Sequence, residues 1–455
     1  MEQVTWQQFG LKKDPYDTLP LIEGGDLAIE KAFVGRVKER ELLNKLCESS
    51  DQVCVAICGD TGVGKTSLAN FHKFFWKYAY ESKPLFSFRR EIEASDNVLD
   101  KRNFLIEIIG SVLCEFQLMM EPELLKDELL QKLKYIVDIS KESAMSVGLS
   151  GGAFGYSAGV DFSKGKTSSQ PVQLSMAMLE QYFILLVEFI KKQKIKEIQY
   201  DGLIIHMNNF DVVLDGENGK SRVLRFFQEI RDLLQTPHVY FLFLGPRNFF
   251  KDIIRPQQRV KSVFVQTPIF VEPLSKTEII QAFDERMKLL QSDNVRGYIK
   301  PIEDEVIFRL YDLYEGDIRS IMSALRDILH QWSGALTKSL SIDDAMLLLS
   351  RERWARLPLS VITPEKKKTL FQFIECNDPI TQKEIARRLG KAEQNISTYC
   401  KDFKQRNIIE EKGRKGKNVY LGLTKEYEPL KFLKESQKKV QDSIISQTKQ
   451  LSLFQ

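Results

Sequence analysis

The run Gly59-Asp60-Thr61-Gly62-Val63-Gly64-Lys65-Thr66 constrains this chain more than any other segment. It follows the apolar run Val53–Cys58 and precedes a stretch in which Leu68, Phe71, Phe74 and Phe75 recur at helical spacing. A glycine-rich loop between a buried strand and a helix gathers backbone N–H groups around one point, and the helix dipole adds positive potential there. Glycines let the backbone wrap a phosphate closely, Lys65 supplies a full positive charge, and the Thr66 hydroxyl is a hard oxygen suited to Mg²⁺. The run matches G-x-x-x-x-G-K-[ST] at every position, in the strand–loop–helix context the motif needs. It predicts bound ATP with Mg²⁺, contacted by Gly59, Asp60, Thr61, Gly62, Val63, Gly64, Lys65, Thr66 and Ser67.

The surrounding pattern extends the same fold. Strands are expected at Val53–Cys58, near Leu85–Ile92, at Leu203–Met207 and at Val239–Leu244. Helices are expected at Thr66–Tyr80, Lys101–Leu118, Met176–Lys192 and Ser221–Leu234. Strands alternating with helices make an α/β fold with a parallel sheet covered on both faces. From about Lys276 to Leu349 the pattern is helical only. The glycine-rich stretch 144–166 reads as a hairpin or long loop inserted into the sheet domain. The expected divisions are an N-terminal segment (1–32), a nucleotide-binding core (33–270), a helical lid (271–349), a smaller domain (360–425) and a flexible tail (426–455).

Hydrolysis needs more than phosphate binding. In such sites the second polar strand usually ends in an Asp that helps hold Mg²⁺ and a Glu that activates the attacking water. Here the strand continues Met207-Asn208-Asn209-Phe210-Asp211, so both positions carry an amide. An amide is no general base and a weaker Mg²⁺ partner than a carboxylate. Asn208 is therefore expected to join Thr66 at the metal, with Asn209 in the base position and Asp211 as the nearest acid. Firm ATP binding with slow turnover follows as the expectation.

Further motifs resemble the AAA+ ATPases. Phe33-Val34-Gly35-Arg36, followed by Glu39 and Leu42, resembles the entry motif of the replication-initiator (origin-recognition-like) clade and of STAND ATPases, where it packs beside the adenine. Phe9-Gly10-Leu11 with Pro15-Tyr16 resembles the start of ATPases carried by transposons and secretion systems. Gly316-Asp317-Ile318-Arg319 is similar to the sensor-2 motif, which implies that Arg319 contacts the γ-phosphate; a guanidinium suits that role. Two features depart from the family. Gly245 stands where a polar sensor-1 residue is expected, and in Gln258–Phe264, which resembles the arginine-finger box, Val263 takes the finger's place and leaves Arg259 as the candidate.

Charge is uneven along the chain. The whole carries +4, but residues 351–455 hold 23 Lys and Arg against 13 Asp and Glu, so that quarter is +10 and the remainder −6. A basic quarter on an acidic body points to a polyanion partner. Thr363-Pro364 opens a helix through Phe371, Phe373 and Ile374. Thr381-Gln-Lys-Glu384 is a capping box ahead of Ile385–Leu389, ended by Gly390. Lys391–Arg406 forms a third helix with Ile396, Tyr399, Cys400 and Phe403 inward, leaving Gln394, Asn395, Ser397, Thr398 and Lys401 outward. A hairpin then carries Arg414, Lys415 and Lys417. Three helices and a basic hairpin resemble a winged helix-turn-helix, which implies double-stranded DNA: the third helix for base edges, the wing for phosphates.

The C-terminal Gln450-Leu451-Ser452-Leu453-Phe454 resembles the bacterial sliding-clamp-binding pentapeptide and implies the clamp as a second partner. The first residues carry no signal peptide, and the longest apolar run, around Tyr182–Ile190, is too short for a membrane span. The six cysteines follow no zinc spacing. These features predict a cytoplasmic, ATP-controlled DNA-binding switch acting near replicating bacterial DNA, in an initiator-like, mobile-element or phage-defence role and with nucleotide-dependent homo-oligomers. The alternative is a STAND-type signalling ATPase whose winged helix docks protein.

Overall fold

The computed structural model describes residues 6–146, 174–332, 339–358, 363–376 and 378–432. The chain forms two compact units, one of Leu19–Leu274 and the other of Met1–Thr18 with Ser275–Gln455. The expected insert beyond 146 and the clamp-like pentapeptide lie outside the described residues.

The first unit is built on a parallel sheet. Its strands are β1 (Val53–Cys58), β2 (Leu85–Ser87), β3 (Ile92–Glu93), β4 (Gly202–Asn208), β5 (Val239–Gly245) and β6 (Ile269–Phe270), in the order β2-β4-β5-β1-β6, with β3 also paired to β4. β1 is buried along its whole length, so it shows no polar alternation. Its side chains divide by parity. Val53, Val55 and Ile57 join one core with Leu68 and Trp76, while Cys54, Ala56 and Cys58 join another with Phe104, Ile108, Leu186 and Phe226. Helix layers thus cover both faces.

The single strand expected over Leu85–Ile92 is instead two short ones. Leu85–Ser87 pairs with the start of β4 and Ile92–Glu93 with its end. Between them the backbone leaves the sheet. The carbonyls of Phe88, Arg89 and Arg90 accept hydrogen bonds from the buried Lys73 ammonium at 3.0, 3.0 and 3.3 Å. A buried cation needs such partners, and burial still pushes its pKa down to about 8.

The second unit contains the lid helices Lys276–Leu289, Asp304–Tyr314, Ile318–Gln331 and Ile342–Arg356. The N-terminal segment, expected as a separate irregular piece, splits between the units, and its first part packs on the lid. Tyr16 is buried and meets Phe283 edge-on at 5.3 Å. Arg286 donates to the carbonyls of Asp17 (2.8 Å) and Pro15 (3.2 Å), and Arg326 pairs with Asp14 (2.9 Å). Gly10 takes a positive φ of 76° where a Cβ would come within 2.8 Å of the Gly297 carbonyl, so glycine is required there.

The same unit carries the small domain. Helices Pro364–Glu375, Gln382–Leu389 and Glu393–Gln405 pack with a sheet of order β7-β9-β8, in which β7 is Ile380–Thr381, β8 Ile409–Lys415 and β9 Asn418–Leu423. Thr381 caps its helix by accepting from the Glu384 N–H at 3.2 Å. The other half of the expected capping box does not form, because the Glu384 carboxylate pairs with Arg387 (2.7 Å) and Arg388 (3.0 Å). The domain also runs past its expected end at 425. Tyr427 and Leu430 are buried in its core, and Ser350 donates to the Pro429 carbonyl at its junction with the last lid helix.

Candidate nucleotide site and nucleic-acid interface

The phosphate loop sits at the C-terminal end of β1, where the sheet leaves no room for side chains. A Cβ at Gly59 would come within 2.6 Å of the Val271 carbonyl. Gly62 and Gly64 adopt φ of 79° and 93°, the left-handed region that only glycine enters freely, and at Gly64 the Cβ position faces open space. The loop's shape therefore follows from its glycines. The helix Lys65–Tyr78 starts directly behind it. Lys65 Nζ folds back onto the loop and donates to the carbonyls of Gly59 (3.0 Å) and Asp60 (2.8 Å).

At the end of β4, Asn208 Nδ2 donates to the Thr66 hydroxyl at 2.8 Å, and the Asn208 side-chain oxygen Oδ1 accepts from the Asn209 N–H at 2.8 Å. Asn209 takes a left-handed φ of 64°, a conformation asparagine tolerates. It ends the strand and begins the helix Phe210–Leu214, which places half-buried Asp211 in the first turn. Ser67 is drawn elsewhere: its hydroxyl accepts from the Leu21 N–H at 3.3 Å. The donor set fits a nucleotide with Mg²⁺. Loop N–H groups and Lys65 would hold phosphate, and the Thr66 hydroxyl, joined by the Asn208 amide oxygen if that side chain turns from the Asn209 N–H, would hold the metal, which supplies charge neutralisation on the phosphates. Both of those oxygens are neutral.

Two residues at the loop lay outside the expected contacts. Arg36 is buried, and its guanidinium donates to the carbonyls of Val63 and Glu272 and pairs with Glu39 at 3.4 Å. It braces the loop from behind. Arg247, two residues beyond β5, holds Glu272 through both terminal nitrogens at 2.9 Å and reaches Asp60 at 3.5 Å. Arg36 was visible as part of the entry motif. Arg247 carried no motif, only a charge just past a buried strand.

Arg259 is exposed on the short helix Gln258–Lys261, while Val260 is buried and Val263 packs on the core. Arg319 is exposed at the start of the helix Ile318–Gln331, in the other unit. Its N–H donates to the capping Asp317 carboxylate at 3.0 Å.

In the winged domain, Ile396, Cys400 and Phe403 are buried, Tyr399 is half-buried, and Gln394, Asn395, Ser397, Thr398 and Lys401 are all exposed on one face. Gly416 turns the wing at a φ of 61°. Arg414, Lys415 and Lys417 are exposed at its tip. Arg414 pairs with Glu411, whereas Lys415 and Lys417 have no ion-pair partner among the described residues.

A parallel sheet with a phosphate loop at the end of β1, helices on both faces, a helical lid and a terminal winged helix define a P-loop protein of AAA+ architecture. A family model described as winged helix-turn-helix DNA-binding matches residues 365–410. No curated protein matches the chain. Among solved structures, the chain is similar to the ORC1 protein of Aeropyrum pernix in complex with DNA, at 12% identity over 92% of this chain and 97% of that one, with a TM-score of 0.44. It is also similar to the ORC2 protein of Aeropyrum pernix (15% identity, 96% and 100% covered, TM-score 0.44) and to Drosophila ORC bound to DNA (11%, 91% and 90%, 0.40). Among the described residues no helix is long and apolar enough to cross a membrane.

Proposed function

We propose that this protein is a cytoplasmic, ATP-controlled DNA-binding switch that grips duplex DNA through its winged helix and assembles into homo-oligomers under nucleotide control. The observation that carries this reading is one chain holding both a complete phosphate loop and a winged helix with an outward polar helix face beside a basic wing tip. Slow turnover fits the neutral Thr66–Asn208 pair, because a site that holds ATP without spending it quickly acts as a timer. The resemblance of the tail motif Gln450–Phe454 to the clamp-binding pentapeptide supports the bacterial sliding clamp as a partner and a role near replicating DNA. Initiator-like remodelling, mobile-element targeting and phage defence are roles that fit such a switch.

The test is to size the protein alone, with ATP, with duplex DNA and with both. Assembly that needs ATP and duplex together is expected. Lys65→Ala, which removes the loop's lysine, should abolish ATP binding and with it assembly. Assembly on ATP alone, indifferent to DNA, overturns the reading in favour of a STAND-type regulatory ATPase.

A further inference from the structure

The first unit has a second basic concavity, which shares Arg247 and Glu272 with the surroundings of the phosphate loop. A cavity of about 600 Å³ opens at the edge of the sheet, where β6 pairs, among the described residues, with β1 alone. Its lining includes Arg247, Lys251, Arg255 and Lys261, with one carboxylate, Glu272. Glu272 is already engaged by Arg247 through both nitrogens. Lys251, Arg255 and Lys261 have no ion-pair partner among the described residues. Three unneutralised cations around one concavity repel one another, and an anion relieves that repulsion.

The aromatic residue in the same cleft narrows the class of anion. Phe270, the last residue of β6, is 46% exposed and lines the cavity, while its neighbour Ile269 is buried in the core. A solvent-facing phenyl ring beside unpaired cations is the arrangement that holds single-stranded nucleic acid. The ring stacks on a base, and the cations follow the phosphates. Duplex DNA keeps its bases stacked on each other and would leave the ring unused.

We propose that this cleft binds single-stranded nucleic acid, with Phe270 as the stacking platform and Lys251, Arg255 and Lys261 as phosphate contacts. The site is independent of the wing, so one chain would hold duplex through the winged helix and an unpaired strand through its ATPase unit.

The test uses the full chain with Arg414→Ala, Lys415→Ala and Lys417→Ala, which removes the wing's contribution. Fluorescence anisotropy follows a labelled oligothymidylate of about 12 nucleotides, within the span of typical single-strand sites. Phe270→Ala should weaken binding about tenfold and Phe270→Tyr should restore it. Replacing Lys251, Arg255 and Lys261 by alanine should weaken binding further and lower the salt slope by roughly 0.7 for each lost phosphate contact. Unchanged melting temperatures would show that the variants stay folded. The proposal is overturned if the wing-neutralised chain does not bind the oligonucleotide, or if both cleft variants bind it as before. It is equally overturned if they change only sedimentation, which would make the cleft a contact for protein.

Discussion

Asn208 Nδ2 donates to the Thr66 hydroxyl at 2.8 Å, joining the end of β4 to the phosphate-loop helix across 142 residues of sequence. The amide thus stands beside the hydroxyl proposed to hold Mg²⁺, where a carboxylate would draw the ion more strongly. Asn209, next in the chain, brings no base. ATP turnover by the wild type should stay below about 1 s⁻¹, the low end of ordinary enzyme rates. Asn208→Asp should tighten Mg²⁺-dependent ATP binding, and adding Asn209→Glu should raise phosphate release. A wild-type rate well above that bound would mean that another acid serves, and Asp211 would be the first to replace.

The wing should contribute charge rather than sequence preference. Replacing Arg414, Lys415 and Lys417 with alanine should weaken duplex binding similarly on unrelated sequences. It should also flatten the salt dependence by up to about one slope unit per lost phosphate contact. Arg414 is already tied to Glu411, so its single replacement should cost less than that of Lys415 or Lys417. Titrations at several salt concentrations measure both effects.

Exposed Gln394, Asn395, Ser397, Thr398 and Lys401 should behave differently from the wing. Amide and hydroxyl side chains read base edges, so Asn395→Ala should lower affinity for a preferred site by about 1–3 kcal/mol and leave non-specific binding nearly unchanged. A selection from random duplexes, repeated with the variant, would reveal the difference. An equal loss on all sequences would assign that face to phosphates instead.

The first unit should lose stability in mild acid. His72 and His206 are buried, and among the described residues neither ring has a hydrogen-bond partner on either nitrogen. Burial pushes the His72 pKa down to about 3 and that of His206 well below its usual value. Unfolding releases both rings to titrate near 6.5. The unfolded chain therefore binds more protons below that pH, and stability falls as pH drops from 6.5. At pH 5 the His72 contribution is about 2 kcal/mol, with His206 acting in the same direction. Thermal melts between pH 7 and 5 should show the decline, and a variant with an apolar ring at position 206 that still folds should show less of it.

Deleting Gln450–Gln455 should abolish binding to purified bacterial sliding clamp while ATP binding persists. Leu451, Leu453 and Phe454 offer three apolar side chains worth roughly 1.5–3 kcal/mol each on full burial. Association and ordering costs remove much of that, so an isolated peptide should bind in the micromolar range. Calorimetry with the peptide and pull-down with the truncated chain decide the matter. Equal clamp binding with and without the tail would remove the replisome link.

What was legible in the sequence was whatever short-range chemistry specifies. The phosphate loop could be read because glycines at 59, 62 and 64 are needed by local backbone geometry and close approach. β1 was visible because a strand buried on both faces must be apolar throughout. The winged helix was visible through its caps, its helical spacing and its turn glycines, all local signals. Tertiary structure alone decided the rest. It broke the strand at Phe88–Arg90 because the buried ammonium of Lys73, from a different element, needed those carbonyls. It packed Tyr16 against Phe283, 267 residues away, and so joined the chain's start to the lid rather than leaving it loose. It set Arg247 between Glu272 and Asp60 and gathered Lys251, Arg255, Lys261 and Phe270 around one cavity. None of those residues is specified by its neighbours in sequence. A charge or a ring acquires its role from groups that only the folded sheet brings within reach, because electrostatic and packing energies depend on distance in space and not along the chain.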